Sequence, residues 1–470
     1  MENADLWRLS ACDLAEKIAS RDVSATEAVD AALDRMHATN GAINAVVDDL
    51  SDSARDAAAA LDRTMAASGP VGPLHGVPVT IKENTDQKGH ATPNGVAAYK
   101  DLIAPADSPF VANLKAAGAV VIGRTNTPEF SFRLTTENPL HGRTRNPWND
   151  WASAGGSSGG AAAAVMSGMG AIAHGTDIAG SLRFPSACTG ATTVKPGLGR
   201  TPAWNPSQAT ERGIVAQVMA VQGVICREVR DVRRAMQAAI AYRPEDPWQV
   251  AARWDGPAPD GPIRVGVTRE TYGFDMHPAV SRALDDAEAA LRDAGYVVEP
   301  VETPDVAEIA REAMRTLFGE MKVQILPAIR DHGAPEFNAY MDRLFAFAPP
   351  YEGEDLLAAM GRRAAGTRRW LRLLAHTPLV LTPFLLGPPY AHGRDYEGQA
   401  GLEEIWAPTF YSIAMNFMGL PAGNIAARVE DDLPMAVQIV GQRLREDLVL
   451  DACEAIEQRV GVMAQVLGRS

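Results

Sequence analysis

The sequence predicts an α/β fold built on a largely parallel or mixed sheet. Short apolar runs recur from Val77 to the last forty residues, and stretches with helical or alanine-rich patterning lie between them. Glycine, proline and polar clusters separate the two kinds of segment. The chain has 470 residues, 46% hydrophobic and 22% charged, enough to bury a large core and unlike a disordered chain.

Residues 7–67 carry apolar positions at helical spacing, with Ser24 or Thr26 as N-cap and 51–67 as a second, alanine-rich helix. The texture changes at Pro70. GPLHGVPVTIKEN reads as a turn and a buried strand over 77–81, 109–117 as a helix, and AGAVVIGRTN as a strand ending in a polar loop. GGAAAAVMSGMG is a small-residue helix, AIAHGTD a strand end, TTVKP a short strand and 231–241 a helix. IRVGVT and YVVEPV read as strands on either side of a helix over 280–294. Residues 303–375 are helical and rich in Met, Phe, Arg and Tyr, a candidate cover over a site on the sheet. PLVLTP, GNIAA and PMAVQIV follow as strands, and 445–460 closes the chain as a helix.

Composition excludes several functions. The net charge is −14, and no basic block is longer than pairs such as Arg362-Arg363 and Arg368-Arg369. A nucleic-acid partner, which needs a concentrated cationic surface, is not expected. Cys12, Cys188, Cys226 and Cys453 lie far apart, and the nine histidines show no H-x-x-x-H spacing, so neither a disulfide framework nor a metal site is expected. The N-terminus MENADLWRLSACDLAEK is charged and lacks a signal-peptide core. The most apolar window, 371–390, is broken in its second half by three prolines and a glycine, which suits a buried strand plus loop better than a membrane span. Cytoplasmic location is the corresponding expectation.

The densest local signal is SAGGSSGG at 153–160, followed by AAAAV. A linker does not suit a segment with strand and helix patterns on both sides. A phosphate loop needs a lysine after the last glycine, and no Lys or Arg lies between Arg145 and Arg183. A dinucleotide fingerprint lacks its acidic residue at the end of a following strand. A catalytic loop remains, with serines in backbone that glycines make attainable.

Three segments in order, LHGVPVTIKEN, GGSSGGAAAAV and HGTDIAGSLRFPSACTG, followed by VKPGLGR, resemble the amidase signature family. GRTNTPEF resembles a further family segment, and GLPAGNIA with LPMAVQIVGQRLRED resembles its closing strands and helix. The resemblance is strong over about 70–200 and weak over about 230–400. It implies a three-layer α/β/α fold with a large central mixed sheet. It also implies one amidase domain over 1–470, comprising N-terminal helices (1–68), a signature core (70–225), a variable pocket region (226–400) and closing strands with a helix (401–470).

Carried over position by position, the family's lysine falls on Lys82, its bridging serine, which follows a cis peptide bond, on Ser157, and its nucleophile on Ser181. The resemblance makes Lys82 the general base, Ser157 the proton relay and Ser181 the group that forms an acyl-enzyme. Such a lysine works only when neutral, and the VPVTI run supplies the burial that lowers its pKa. Backbone N–H groups of Ile178, Ala179, Gly180 and Ser181 are implied as oxyanion donors. Ala179 stands where many relatives have glycine, which leaves its N–H usable if its backbone is not left-handed. Asp177 and Arg183 are expected to form a buried network that holds the loop, against a surface pair as the alternative. Ser158 either contacts Ser157 or caps the next helix.

The expected activity is serine-type hydrolysis of a C–N amide bond in a small molecule, with water as co-substrate and no cofactor or metal. Two other enzymes fit the same residues: the glutaminase subunit of a tRNA-dependent amidotransferase, and a hydrolase of esters or carbamates. A catalytically dead binding module on the same scaffold is disfavoured because all three reacting residues are present. Met314, Phe318, Met321, Phe345, Phe347 and Tyr351 either line an apolar pocket or belong to the core. Oligomeric state is not legible, and the resemblance admits a homodimer.

Overall fold

The computed structural model describes residues 3–468. Ser24 opens the helix Ala25–Ile43 with a capping box closed by Glu27. Thr26, the other cap candidate, instead donates to Asp62 at 2.6 Å and ties this helix to Ser51–Ser68. The expected helical run is interrupted. Asn44 adopts the left-handed conformation as C-cap, and Val46–Asp49 then pairs antiparallel with Val120–Thr125. A four-residue edge strand between two long helices leaves little mark on the helical periodicity.

Among the described residues the main sheet has eleven strands. Their order is Val46–Asp49, Val120–Thr125, Pro78–Lys82, Ile172–Asp177, Val221–Cys226, Thr192–Lys195, Ala422–Glu430, Leu433–Gly441, Leu379–Pro383, Arg264–Val267 and Val297–Pro300. Pro78–Lys82 runs parallel to both its neighbours, the strands from Val221 to Gly441 pair antiparallel, and the far edge is parallel again. The sheet is therefore mixed. Helices pack on both faces, and strand side chains alternate between them. Val437 and Ile439 join one apolar cluster with Leu14, Phe110, Val232 and Leu448. Ala436 and Val440 join the other, with Phe318, Trp370 and Met415. This is the three-layer α/β/α arrangement.

Several sequence expectations are displaced or incomplete. The helices expected over 231–241 and 280–294 are Val229–Ala239 and Pro278–Asp293. Val221–Cys226 reads poorly as a strand because Gln222 and Gly223 interrupt its apolar run, yet all six residues are buried. The helices Gly398–Trp406 and Phe410–Met418 are not separable by pattern alone from the strands around them. In the apolar window 371–390, Leu379–Pro383 is a buried strand paired on both sides. Among the described residues no helix is long and apolar enough to cross a membrane.

Residues 303–375 form the helices Val306–Gln324, Leu326–His332, Pro335–Phe347 and Gly353–His376. They share one apolar cluster with Ala179 and Phe184. Met314, Phe318 and Met321 are buried there as core, whereas Phe345 and Phe347 are half-buried at its margin. Tyr351 is taken up elsewhere: its hydroxyl donates to Glu312 at 2.5 Å, and Arg315 stacks on its ring.

Candidate active site

Lys82 ends a strand whose five residues are all buried. The apolar run VPVTI, flanked by two parallel strands, carries its amine into the interior at the carboxyl end of the strands, where open α/β sheets place their ligand sites. Its Nζ donates to three hydroxyls: Ser157 Oγ at 2.7 Å, Ser158 Oγ at 3.0 Å and Thr176 Oγ1 at 3.0 Å. Among the described residues no carboxylate forms an ion pair with it. Burial therefore dominates and pulls its pKa down to about 7, against the opposing charges of Asp177 and Glu83.

The Gly156–Ser157 peptide bond is cis. The glycines of this segment mark close packing. A Cβ on Gly156 would lie 2.5 Å from the Arg133 carbonyl oxygen, and one on Gly160 would lie 2.5 Å from the Asn126 nitrogen. Ser158 occupies the N-cap position of Gly159–Met166 without a side-chain cap. Its hydroxyl accepts from Lys82 and from Thr176 N (3.3 Å) and donates to Thr176 O (3.3 Å), so it neither caps the helix nor hydrogen-bonds Ser157: the oxygen is already used by Lys82 and Thr176.

Ser181 lies in the turn between Ile172–Asp177 and the helix Arg183–Thr189. Its carbonyl accepts from Ser158 N at 3.3 Å, which holds the two serine segments together. The residue is 7% exposed, and its hydroxyl has no hydrogen-bond partner among the described residues. No hydrogen bond joins the hydroxyls of Ser157 and Ser181.

The turn departs from the expected set of four oxyanion donors. Gly180 N–H donates to Asp177 Oδ1 at 2.6 Å and is taken out of the set by that carboxylate. The N–H groups of Ile178, Ala179 and Ser181 have no partner among the described residues. The glycine pattern explains itself sterically. Gly180 has φ +124° and a Cβ there would sit 2.1 Å from Ser412 Oγ, whereas Ala179 lies outside the positive-φ region and tolerates its methyl.

Asp177 and Arg183 are fully buried and hydrogen-bonded through two contacts, at 3.1 and 3.2 Å. Arg183 also donates to Gln438 Oε1 (2.9 Å), the Ser412 carbonyl (3.1 Å) and Asn416 Oδ1. Asn416 in turn donates to Asp177 Oδ1 at 2.9 Å, and Ser412 Oγ donates to the Ala179 carbonyl at 2.5 Å. Burial raises the carboxyl's pKa, but Arg183, Lys195 and Asn416 outweigh it and hold it below the usual range. The alternative of a surface ion pair is excluded by complete burial. Asp177→Ala leaves the guanidinium buried without a counter-charge, and urea denaturation should show a loss of about 3–5 kcal/mol.

Sequence reasoning missed Thr176, Asn84, Ser412 and Asn416. Ser412 and Asn416 lie one turn apart on Phe410–Met418 and are the polar members of FYSIAMNFM. That pair was the available signal. Thr176 and Asn84 sit within the quoted motifs, but nothing in their spacing says that they meet.

The sequence profile of the family described as Amidase matches residues 27–450. An indoleacetamide hydrolase of Bradyrhizobium diazoefficiens is 43% identical over 463 residues, covering 98% of this chain and 88% of that protein. A glutamyl-tRNA(Gln) amidotransferase subunit of Carboxydothermus hydrogenoformans is 28% identical over 491 residues, covering 97% and 98%. Among solved structures, a bacterial aryl acylamidase of the amidase signature family superposes with a TM-score of 0.85 at 26% identity, covering 98% of this chain and 99% of that one.

Proposed function

The chain belongs to the amidase family, and from that premise we propose that it cleaves the C–N bond of a small arylacetamide-type amide through an acyl-enzyme on Ser181. The observation that carries this reading is the fully buried Lys82 amine, 2.7 Å from Ser157 Oγ and with its pKa lowered to about 7.

In this mechanism neutral Lys82 takes the Ser157 proton as Ser157 takes the Ser181 proton. Ser181 Oγ then bonds to the carbonyl carbon. The Ser157–Ser181 contact closes when substrate is bound, as catalytic hydrogen bonds commonly do. The N–H groups of Ile178, Ala179 and Ser181 receive the oxyanion. The proton held on Lys82 returns through Ser157 to the leaving nitrogen as the C–N bond breaks. Water, deprotonated by the same pair, then hydrolyses the ester. Because only neutral Lys82 can act, kcat/KM should rise with pH on an acid limb centred at about 7.

The substrate class rests on two supports. Two of the proteins named above act, by their names, on indoleacetamide and on aryl acylamides, and the first, at 43% identity, takes an amide whose aromatic group is on the acyl side. Phe132, next in the chain to Arg133, whose carbonyl packs against Gly156, contacts Phe318 (centroids 6.3 Å apart), which contacts Phe345 (5.6 Å). Ile178 packs into the same cluster. We infer that the partly buried Phe132, Phe345 and Ile178, packed with the core residue Phe318, offer an apolar surface that suits a flat acyl group. We read 1–470 as one catalytic unit, with 226–400 shaping this pocket. A panel of indole-3-acetamide, phenylacetamide, anilides, aryl esters, carbamates and glutamine tests the reading. The arylacetamides should give the highest kcat/KM and glutamine the lowest. A glutamine preference would instead support an amidotransferase glutaminase, and an ester or carbamate preference the hydrolase alternative.

A further inference from the structure

Lys82 is ringed by three hydroxyls, and their hydrogen positions decide whether its amine is better charged or neutral. The Ser158 hydrogen is directed at Thr176 O and its oxygen accepts from Thr176 N and Lys82, so Ser158 is an acceptor toward the amine. Thr176 differs. Asn84 Nδ2 donates to Thr176 Oγ1 at 3.1 Å and to Ser131 Oγ at 3.0 Å. Ser131 in turn donates to Asn94 Oδ1 at 2.6 Å, and Thr85 Oγ1 donates to Asn84 Oδ1 at 3.2 Å, an arrangement that turns the amide nitrogen toward Thr176.

We propose that Asn84 is a positioning residue which, by presenting a donor to Thr176, leaves the Lys82 amine as the sole acceptor among the described residues for the Thr176 hydroxyl hydrogen and so favours the neutral base. When Lys82 is charged, its three N–H bonds face three oxygens, and the Thr176 hydrogen has no protein acceptor. When Lys82 is neutral, that hydrogen meets the amine's lone pair. Hydrogen bonding to the neutral form lowers a basic pKa, in the same direction as burial. Rotation about Cε–Nζ then turns the lone pair to Ser157 for proton transfer.

The other groups facing Lys82 are few. Glu83 on its own segment and Asp177 at the end of the neighbouring strand favour the charged amine. His174 on that neighbouring strand is driven to about 3 by burial and adds no positive charge at neutral pH. Arg124 on the strand at the other side donates to the carbonyls of Glu83 and Thr85. Asn84 is the residue among these that acts on the hydrogen-bond direction rather than on net charge.

The inference rests on Lys82 as the base, and the test separates the two. Profiles of kcat/KM against pH are measured for wild type, Asn84→Ala, Thr176→Val and the double variant. Asn84→Ala frees the Thr176 hydrogen to turn to water, so its acid limb should move up by roughly half a pH unit or more, with activity recovered at high pH. That shift should vanish in the Thr176→Val background. An unmoved limb in Asn84→Ala, or an equal shift with Val at 176, would overturn the role of Asn84 while leaving the base intact. A wild-type profile without an acid limb near neutrality would count against Lys82 itself. Should Asn84→Ala not fold, Asn84→Ser in both backgrounds carries the same comparison and the same outcomes.

Discussion

Ser181→Ala is expected to lower kcat/KM for every amide and ester by about 10⁴- to 10⁶-fold, with the folded structure retained. The size follows from the division of labour at the site. In the proposed mechanism Lys82 and Ser157 move a proton, but without the Ser181 oxygen the enzyme itself has no atom to bond to the carbonyl carbon. The free N–H groups of Ile178, Ala179 and Ser181 remain to bind substrate, so the residual rate should come from a slow water attack in the same pocket. The substitution removes a hydroxyl that has no hydrogen-bond partner among the described residues, so thermal stability should change little. Steady-state kinetics with paired circular dichroism melts would read both outcomes. A variant with near-wild-type turnover would mean that another residue attacks.

Lys82→Met is expected to separate activity from stability. Turnover at pH 7 should fall by about 10⁴-fold because the relay loses its proton acceptor. Stability should move the other way. The amine's folded pKa is about 7 against an unfolded value near 10.5. The folded state therefore binds fewer protons than the unfolded state, and stability rises with pH across that window. The cost of burying this amine is greatest below about pH 7 and fades as pH approaches 10.5. Methionine removes the cost and keeps most of the volume. The variant should thus gain a few kcal/mol at pH 6 and little at pH 10, less what the three hydroxyls lose as partners. Denaturant titrations at the two pH values check this. An equal or greater loss of stability at pH 6 would mean that Lys82 is held as a cation.

The fold class was legible because most strands are short, uninterrupted apolar runs and most helices carry a clear apolar stripe. What was hidden obeyed neither pattern. Val46–Asp49 is an edge strand with only its first residue buried, and Val221–Cys226 is a central strand broken in sequence by a glutamine and a glycine. The site residues in the quoted motifs were legible as a resemblance, with their roles attached to it. Their supports were not, because they arrive from distant chain. Ser412 and Asn416 reach the Asp177–Arg183 pair across more than two hundred residues, and Asn84 reaches Thr176 across 92. Such pairings depend on which strands become neighbours, and local spacing carries no record of that. The departure at Gly180 is of the same kind. Its N–H is captured by Asp177, three residues back, in a turn whose geometry the letters do not disclose.

The most direct measurement is the identity of the acylated residue. Enzyme mixed with an activated aryl ester and quenched in acid within one turnover should carry one added acyl group, mapped by peptide mass spectrometry to the segment containing Ser181 and missing from Ser181→Ala. An acyl group on Ser157 or Ser158, or continued turnover with no acyl adduct at any time, would contradict the account.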